Sequence, residues 1–280
     1  MTQSLKRVSV HGGHSGQFCL HAKGSLEEIV NAYIELNFSW VGITEHMPPS
    51  LAAIIYPEER QAGMTKESLH QRFAGYISEC RRLQRKYSSQ IDLFVGMETE
   101  TYPGYEHQVK ALLQEFQPDY IVGSVHHIDT LPIDYSQEEY DRAAQTLGGI
   151  DELYCRYFDL QHAMLEQLKP EVVGHFDLIR IFDADYEKRL QKKEISERIA
   201  RNLDCIKKHG LILDYNLRSL LKGAKEPYVS RPILDMARER GIAVVPGDDS
   251  HGVESIGVNL DAAMARLDDL GFDTDWRRPA

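Results

Sequence analysis

The chain has 280 residues, and its 42% hydrophobic and 27% charged residues are typical of a soluble globular protein. The formal net charge of −11 argues against nucleic acid or a membrane surface as the main partner, so an anionic substrate would need local cations. Four scattered cysteines without a Cys-x-x-Cys pair, and a first segment without an apolar core of signal-peptide length, predict a cytoplasmic protein.

Short β-branched segments alternate with segments of helical periodicity along the chain. Strands are predicted near 7–10, 40–45, 92–98, 119–125, 171–174, 211–215 and 242–246. Helices are predicted over 25–36, 67–87, 144–168, 186–210 and 231–241. The remaining long segments, 47–64 and 129–145, are expected to be irregular loops that cover a site. Seven strands alternating with helices predict a parallel sheet, and a closed α/β barrel of one domain suits the length.

Histidines and carboxylates stand at or just after the ends of the predicted strands. They are His11, His14, His21, His46, Glu98, Glu100, His126, His175, Asp249 and His251. In a parallel barrel the C-terminal ends of the strands converge on one rim. A single histidine at a strand end is more often structural, but imidazoles and carboxylates converging from several strands are typical ligands of transition metals. The joint pattern therefore predicts a hydrolase with more than one metal ion.

The sequence offers no protein nucleophile of a common kind. It contains no Gly-x-Ser-x-Gly segment, no Cys-x5-Arg phosphatase loop and no GxxxxGK[ST] phosphate loop. Water activated by metal ions is therefore the better candidate for the attacking group.

Seven segments resemble motifs of the PHP (polymerase and histidinol phosphatase) superfamily, and within it the histidinol-phosphatase branch. In chain order they are HSGQFCLHA, GITEH, GMETETYPGYE, GSVHHID, GHFDLIR, KEPYVS and PGDDSH. They run in the family's order from about residue 8 to residue 255. The resemblance implies a distorted, TIM-like barrel of seven β/α units. We expect residues 1–280 to form this single domain with a short C-terminal tail.

The resemblance also implies a cluster of two or three divalent transition-metal ions, for which Zn, Fe and Mn are all suited. The ligands would be His11, His14, Glu98 and Asp249 for the first metal; a bridging Glu98 with His126 and His175 for the second; and His21, His46 and His251 for the third. The motif alignment favours Glu98 over Glu100 and His126 over His127.

The first motif departs from the family pattern, which is usually His-x-His, whereas this chain has His11-Gly12-Gly13-His14. Residues three apart on a regular strand point to opposite faces. The two glycines allow a bulge that would bring both imidazoles inward.

Catalytic roles follow from the same resemblance. Asp249 and Glu98 are expected to act at the reacting centre, where Asp249 would orient or deprotonate the attacking water. His251 is the alternative proton donor to the leaving alkoxide. Arg180 resembles a family residue that contacts the phosphate, as a bidentate guanidinium can. The competing interpretation of Arg180 is a surface ion pair with Asp183 or Asp185.

Substrate contacts are also implied in the segment LDYNLRSLLKGAKEPYVS. Asn216, Lys222, Glu226 and Tyr228 match the family there. The family has an arginine where this chain has Leu221, so that contact would be lost or taken over by Arg218.

We therefore predict a metal-dependent phosphomonoesterase that binds a small phosphorylated substrate, L-histidinol phosphate, and releases histidinol and phosphate in histidine biosynthesis. One alternative is a PHP phosphoesterase acting on another small phosphate ester. The other is a metal-binding regulatory module without catalysis, against which Asp249, Glu98 and His126 together argue.

Overall fold

The computed structural model describes residues 5–279, and within that range it is a nearly closed α/β barrel. The strands are β1 (Arg7–Ser9), β2 (Phe38–Ile43), β3 (Asp92–Glu98), β4 (Tyr120–Gly123), β5 (His127–Ile128), β6 (Leu131–Pro132), β7 (Val172–Val173), β8 (Ile212–Asn216) and β9 (Ala243–Gly247). Within the described range β5 and β6 form an antiparallel hairpin, and the other seven strands form one parallel sheet in chain order. The seven predicted strands and the barrel are confirmed.

The first and last strands meet along what we call the β1–β9 seam, formed by residues 10–14 and 246–250. The amide of Val10 donates to the Pro246 carbonyl over 2.9 Å, and the amide of Asp249 donates to the His11 carbonyl over 2.9 Å. The amide of His14 donates to the Ser250 carbonyl over 2.7 Å. These bonds bring the segment after β1 beside the segment after β9, so residues from both chain ends reach the same rim.

Helices surround the sheet. They are α1 (Leu26–Glu35), α2 (Pro57–Gln61), α3 (Lys66–Lys86), α4 (Tyr105–Phe116), α5 (Gln137–Leu147), α6 (Ile150–Leu168), α7 (Tyr186–Leu190), α8 (Lys193–His209), α9 (Arg218–Leu221), α10 (Arg231–Glu239) and α11 (Leu260–Asp269). Helix α1 begins at a capping box in which Ser25 and Glu28 bond each other's backbone amides. None of the helices in residues 5–279 has the length and apolarity needed to cross a bilayer.

Two segments that were predicted to be irregular contain regular structure. Residues 47–64 include α2, and residues 129–145 include β6 and most of α5. Helix α5 begins at Ser136, whose hydroxyl accepts from the amide of Glu139, and it buries Tyr140. The predicted helix over 144–168 is likewise divided, because Gly148 and Gly149 have φ values of +97° and +146°. The predicted helix over 186–210 is two helices, α7 and α8.

The end of the chain packs against the opposite end of the barrel from the rim. Trp276 is buried, and its indole Nε1 donates to the Lys6 carbonyl over 2.9 Å. Arg278 pairs with Asp92, the first residue of β3, over 2.7 Å. The C-terminal segment is therefore attached to the barrel through Trp276 and Arg278, while Arg277 and Arg278 themselves are exposed.

Candidate metal centre

Glu98, the last residue of β3, lies at the centre of a buried group of imidazoles. Its Oε1 is 2.9 Å from His175 Nε2 and 3.3 Å from His126 Nε2. Its Oε2 is 3.3 Å from His11 Nε2 and 3.2 Å from His46 Nδ1. Glu98 is only 1% exposed, so both oxygens are directed at these rings rather than at bulk water. The structure thus brings residues from the ends of several strands to one carboxylate.

A second carboxylate, Asp249, completes one side of the group. Its Oδ1 is 3.4 Å from His14 Nε2, which is also 3.7 Å from Glu98 Oε2. Asp249 has a φ of +44° and His175 a φ of +22°, a region that costs a side-chain-bearing residue about 1–3 kcal/mol. The backbone bends into this region at the two positions where a side chain turns toward Glu98 or His14.

The segment His11-Gly12-Gly13-His14 brings both imidazoles inward, with ring centroids 6.2 Å apart. A Cβ on Gly12 would lie 2.3 Å from the Gly42 carbonyl oxygen, to which the Gly12 amide donates over 2.8 Å. A Cβ on Gly13 would lie 2.7 Å from a methyl of Ile29. Both glycines are therefore needed for the close approach that turns the two rings to the same side.

The residues expected to hold a third metal are placed unequally. The rings of His46 and His251 lie 4.7 Å and 4.5 Å from the His14 ring, and these three offer nitrogens within 4.8 Å of one another. The His21 ring lies 5.0 Å from the His251 ring, but its side chain is 40% exposed and its Nε2 contacts Cys19 Sγ at 3.2 Å. His14 therefore lies closer than His21 to the space between His46 and His251, where the third metal was expected.

Three further carboxylates hold the imidazoles from behind, and the sequence had not assigned them this role. His11 Nδ1 is 2.9 Å from Asp214, His14 Nδ1 is 3.3 Å from Glu45, and His126 Nδ1 is 3.0 Å from Glu100. In each case Nε2 is left to face the centre, the arrangement that orients histidine ligands in metal sites. Asp214 could have been found at the end of a predicted strand, and Glu45 beside His46 in GITEH.

The electrostatics of the group favour cations at its centre. Burial alone would raise the pKa of Glu98, but His11, His46 and His126 hold it well below its usual range. Burial likewise opposes protonation of His11, yet Glu98 and Asp249 raise the pKa of that imidazole well above its usual value. Carboxylates that stay charged, and imidazoles drawn toward protonation, both indicate a centre that attracts positive charge.

Three observations show that the residues around Glu98 are suited to binding divalent metal ions. Within the described chain, the buried Nε2 atoms of His11 and His14 make no well-aligned hydrogen bond, although carboxylate oxygens lie 3.3 Å and 3.4 Å from them. His126 Nε2 and His175 Nε2 face each other at 3.2 Å beside the same oxygen of Glu98. The donor set of imidazole nitrogens and carboxylate oxygens is that of Zn, Fe or Mn.

The group opens into a cavity at the rim. Its wall includes Glu98, Asp249 and His251, together with Arg218 and Lys222. Tyr228, which was also predicted to bind substrate, lies in this wall. Leu221 is 39% exposed and lies outside the wall, whereas Arg218 lies in it.

Arg180, which was predicted to contact the phosphate, lies outside the residues that line the cavity and is only 5% exposed. Its Nε donates to Asp177 over 3.1 Å, and its Nη2 donates to the carbonyls of Glu226 (3.0 Å) and Pro227 (2.7 Å). The guanidinium stacks on the Tyr228 ring at 4.6 Å. Arg180 pairs with Asp177 rather than with Asp183 or Asp185, and it supports the segment that carries Tyr228. The predicted phosphate contact stays a prediction.

Asn216 and Glu226 were also predicted to bind substrate, and both are engaged elsewhere. Asn216 is buried, and its Nδ2 donates to Asp214 over 2.9 Å and to Asp249 over 3.2 Å. Glu226 accepts from the Tyr186 hydroxyl over 2.6 Å and from the amide of Arg231 over 2.9 Å. The structure therefore places Asn216 behind Asp249, and Glu226 at the start of α10, away from the cavity wall.

Comparisons with known proteins found a family model and relatives that match most of this chain. A family model described as PHP domain matches residues 12–218. The chain is 38% identical to the probable histidinol-phosphatase of Schizosaccharomyces pombe, over 95% of this chain and 87% of that protein. It is 29% identical to the histidinol-phosphatase of Saccharomyces cerevisiae, over 93% of this chain and 88% of that protein.

Solved structures show the same fold. The hisK protein of Listeria monocytogenes superposes with a TM-score of 0.81 at 27% identity, over 91% of this chain and 99% of that one. The histidinol phosphate phosphatase of Lactococcus lactis, solved with Zn, L-histidinol and phosphate, superposes with a TM-score of 0.72 at 16% identity, over 96% and 95%. The matched family model, the full-length relatives and the barrel together show that this chain belongs to the PHP family.

Proposed function

We propose that this chain is a metal-dependent phosphomonoesterase that hydrolyses L-histidinol phosphate to L-histidinol and phosphate in histidine biosynthesis. The observation that carries the proposal is the buried group of imidazoles around Glu98, which opens into a cavity with Arg218 and Lys222 in its wall. Relatives with 29–38% identity across nearly the whole chain are named histidinol-phosphatases, which supports the substrate.

The metal ligands that we propose follow the contacts around Glu98. His11, His14 and Asp249 with Glu98 would hold one ion, and His126 and His175 with Glu98 a second. His46 and His251, with the more distant His21, would hold a third. Bound divalent ions would lower the pKa of the attacking water and would place positive charge beside the phosphoryl oxygens. The related Lactococcus enzyme contains Zn, which supports Zn here, although Fe and Mn suit the same donors.

Residues of the chain itself would position the reactants. Asp249 lines the cavity, and Asn216 holds its Oδ2, so Oδ1 is the oxygen available to orient or deprotonate the water. Ser124 donates to Glu98 Oε1 over 2.8 Å and fixes the orientation of that carboxylate. Arg218 and Lys222, as cations in the wall, would hold the phosphate.

His251 fits the role of a neutral ligand better than that of a proton donor. Burial and the neighbouring His14 lower its pKa well below the usual value for histidine. An imidazole with a strongly lowered pKa carries no proton to give to a leaving alkoxide at neutral pH.

We also propose that the protein works in the cytoplasm. Cys19, Cys80, Cys155 and Cys205 are all unpaired, which fits a reducing compartment.

Phosphate release from a panel of esters tests the proposal. The chelated enzyme would be reloaded with Zn, Mn or Fe in turn and assayed with L-histidinol phosphate, phosphoethanolamine and p-nitrophenyl phosphate. We expect the kcat/KM for histidinol phosphate to exceed that for the other two esters by at least about tenfold, because one additional charge-assisted hydrogen bond produces a difference of this size. Preference for another ester would favour the alternative substrate, and metal binding without any turnover would favour a regulatory module.

A further inference from the structure

The cavity wall carries charges of opposite sign on loops from different strands. Arg218 and Lys222 come from the loop after β8, and neither makes an ion pair within the described chain. Glu58 comes from α2, after β2, and Asp134 from the segment after β6, in the connection between β4 and β7. In the sheet order β8 is not adjacent to β2 or β4. The cavity therefore offers a cationic side and an acidic side around the same metal centre.

Asp134 is an uncompensated charge at the cavity. Among residues 5–279 it makes no ion pair, and its Oδ1 is enclosed without a hydrogen-bond donor. Leaving a partly desolvated carboxylate unpaired is unfavourable, because it loses water without gaining a partner. A cationic group in the cavity would supply that partner.

Glu58 is in a similar position. Its nearest basic neighbour is His21 Nδ1, 3.7 Å from its Oε1, and its Oε2 is enclosed without a donor in the described chain. Tyr135, which follows Asp134, adds an aromatic side chain to the same wall and is 45% exposed. Carboxylates beside an aromatic ring are suited to an ammonium or imidazolium group.

We propose that Glu58 and Asp134 select the substrate by binding its positively charged end, while Arg218 and Lys222 bind its phosphate. This inference rests on the proposed function, since the substrate must be a phosphate ester that carries its own cation. Histidinol phosphate has an ammonium and an imidazole at the end away from the phosphate. Glu226, which the sequence suggested for this end, is bonded to Tyr186 and Arg231 instead.

Glu58→Gln and Asp134→Asn, singly and together, test the assignment in the metal-loaded enzyme. Each change keeps the side-chain volume and removes the charge. Because a charge-assisted hydrogen bond is lost, we expect each variant to lose about tenfold to a hundredfold in kcat/KM for histidinol phosphate, mainly through KM. The kcat/KM for p-nitrophenyl phosphate, which has no cationic group, should stay within about twofold of the wild-type value. A twofold change is smaller than the effect of losing one charge-assisted hydrogen bond. Phosphoethanolamine, with its ammonium, should follow histidinol phosphate.

Glu138→Gln is the matched control, because Glu138 is exposed on α5 and lies outside the cavity wall. It should leave all three substrates unchanged. Metal content and the inhibition constant of L-histidinol would be measured for every variant; in the Glu58 and Asp134 variants the inhibition constant should rise while the metal content stays unchanged. Equal losses on all substrates, lost metal or an unchanged histidinol phosphate kcat/KM would overturn the inference. A wild-type enzyme without preference for histidinol phosphate would overturn the proposed function as well, whereas a wild-type preference that both variants keep would overturn this inference alone.

Discussion

Glu98 differs from the other carboxylates of the site in what it contacts. Its two oxygens divide the surrounding imidazoles, since Oε1 faces His126 and His175 while Oε2 faces His11 and His46. Glu100, two residues further on, contacts the outer nitrogens of His126 and His127 and lies 3.4 Å from His46 Nδ1. Glu98 is thus the carboxylate that contacts imidazoles on both sides of the group, whereas Glu100 mainly holds His126 and His127 from behind.

Replacing Glu98 by glutamine should therefore remove activity without unfolding the protein. The amide keeps the shape but offers only one acceptor oxygen and no charge, so the residue could no longer bridge the two proposed metals. We expect kcat to fall by more than about a hundredfold. This exceeds the ~10–100-fold loss of metal affinity or activity that is typical when a residue that only hydrogen-bonds a metal ligand is replaced. Elemental analysis and phosphate release would be measured together, with the exposed Glu239→Gln as control. A variant with normal metal content and a tenth of wild-type turnover would contradict the bridging role.

Asp214→Asn tests a carboxylate that holds an imidazole from behind. Asp214 Oδ2 lies 2.9 Å from His11 Nδ1, and the change removes the charge that directs His11 Nε2 toward Glu98. We expect metal affinity to fall about 10–100-fold, with activity restored by excess metal. Metal titration followed by activity separates this effect from misfolding. Asp204→Asn, which affects only a surface pair with Arg240, should behave as wild type. Activity that excess metal fails to restore would point to a direct catalytic role for Asp214.

The sequence predicted the central residues better than the surrounding ones. Strand ends and a family resemblance sufficed for residues such as Glu98 and His175, because their positions follow from the chain direction of a parallel barrel. The buried environment of Arg180 could not be predicted, because it depends on how the segment around Glu226 and Pro227 folds back over this residue. Long-range packing of this kind has no period or motif in the sequence.

At the scale of secondary-structure elements, the turn between β1 and α1 depends on two glycines. Gly12 lies against the carbonyl of Gly42 in β2, and Gly13 lies against Ile29 in α1. Because the turn is wedged between a strand and a helix, it has no room to relax outward. The spacing of His11 and His14 is thereby coupled to the packing of both neighbours.

Gly12→Ala should disturb this turn. The added methyl would meet a backbone oxygen at 2.3 Å, and backbone cannot move aside as a flexible side chain can. We expect a loss of about 1–3 kcal/mol in the free energy of unfolding, with reduced metal binding. Urea unfolding with and without metal would measure both. Gly75→Ala in α3, where the new methyl meets Phe18 at an ordinary 3.4 Å, should be neutral or stabilising. Equal stability of the two variants would show that the turn is less constrained than its contacts indicate.

The seven strands of the barrel could be predicted from the sequence, whereas several helices could not. A buried parallel strand is a short run of β-branched residues, whereas α5 and α11 have mixed compositions whose burial depends on neighbours. Helix α5, for example, lies in the connection that also supplies Asp134. The elements that form the barrel were therefore predicted from local sequence, and those that shape the cavity were not.

For the whole molecule, metal binding and stability should be linked through pH. In the metal-free protein burial would lower the pKa of His14, but Asp249 and Glu45 raise it to about 9. A raised pKa stabilises the fold fully below the unfolded value of about 6.5 and ceases to do so as the pH rises through about 9. The lowered pKa values of Glu98 and Asp249 act oppositely, because their contribution is lost only in acid, as the pH falls below about 4.

The chelated protein should therefore lose stability between pH 6.5 and 9, whereas metal binding strengthens as its imidazoles lose their protons. We expect the difference in Tm between loaded and chelated protein to widen over this range. Metal at a hundred times its Kd should raise Tm by on the order of 5–10 °C. Thermal unfolding at several pH values, with and without chelator, measures the difference. A constant difference would contradict the linkage.

The β1–β9 seam has a consequence for how the centre is first assembled. A ribosome releases His11 and His14 early and Asp249 and His251 only after most of the barrel has emerged. Until β9 docks beside β1, a nascent chain has imidazoles but lacks the carboxylate that faces His14. The proposed first and third metal sites are therefore complete only after residues 249–251 have been synthesised. Chains arrested before residue 249 should bind fewer metal ions, because they lack Asp249 and His251.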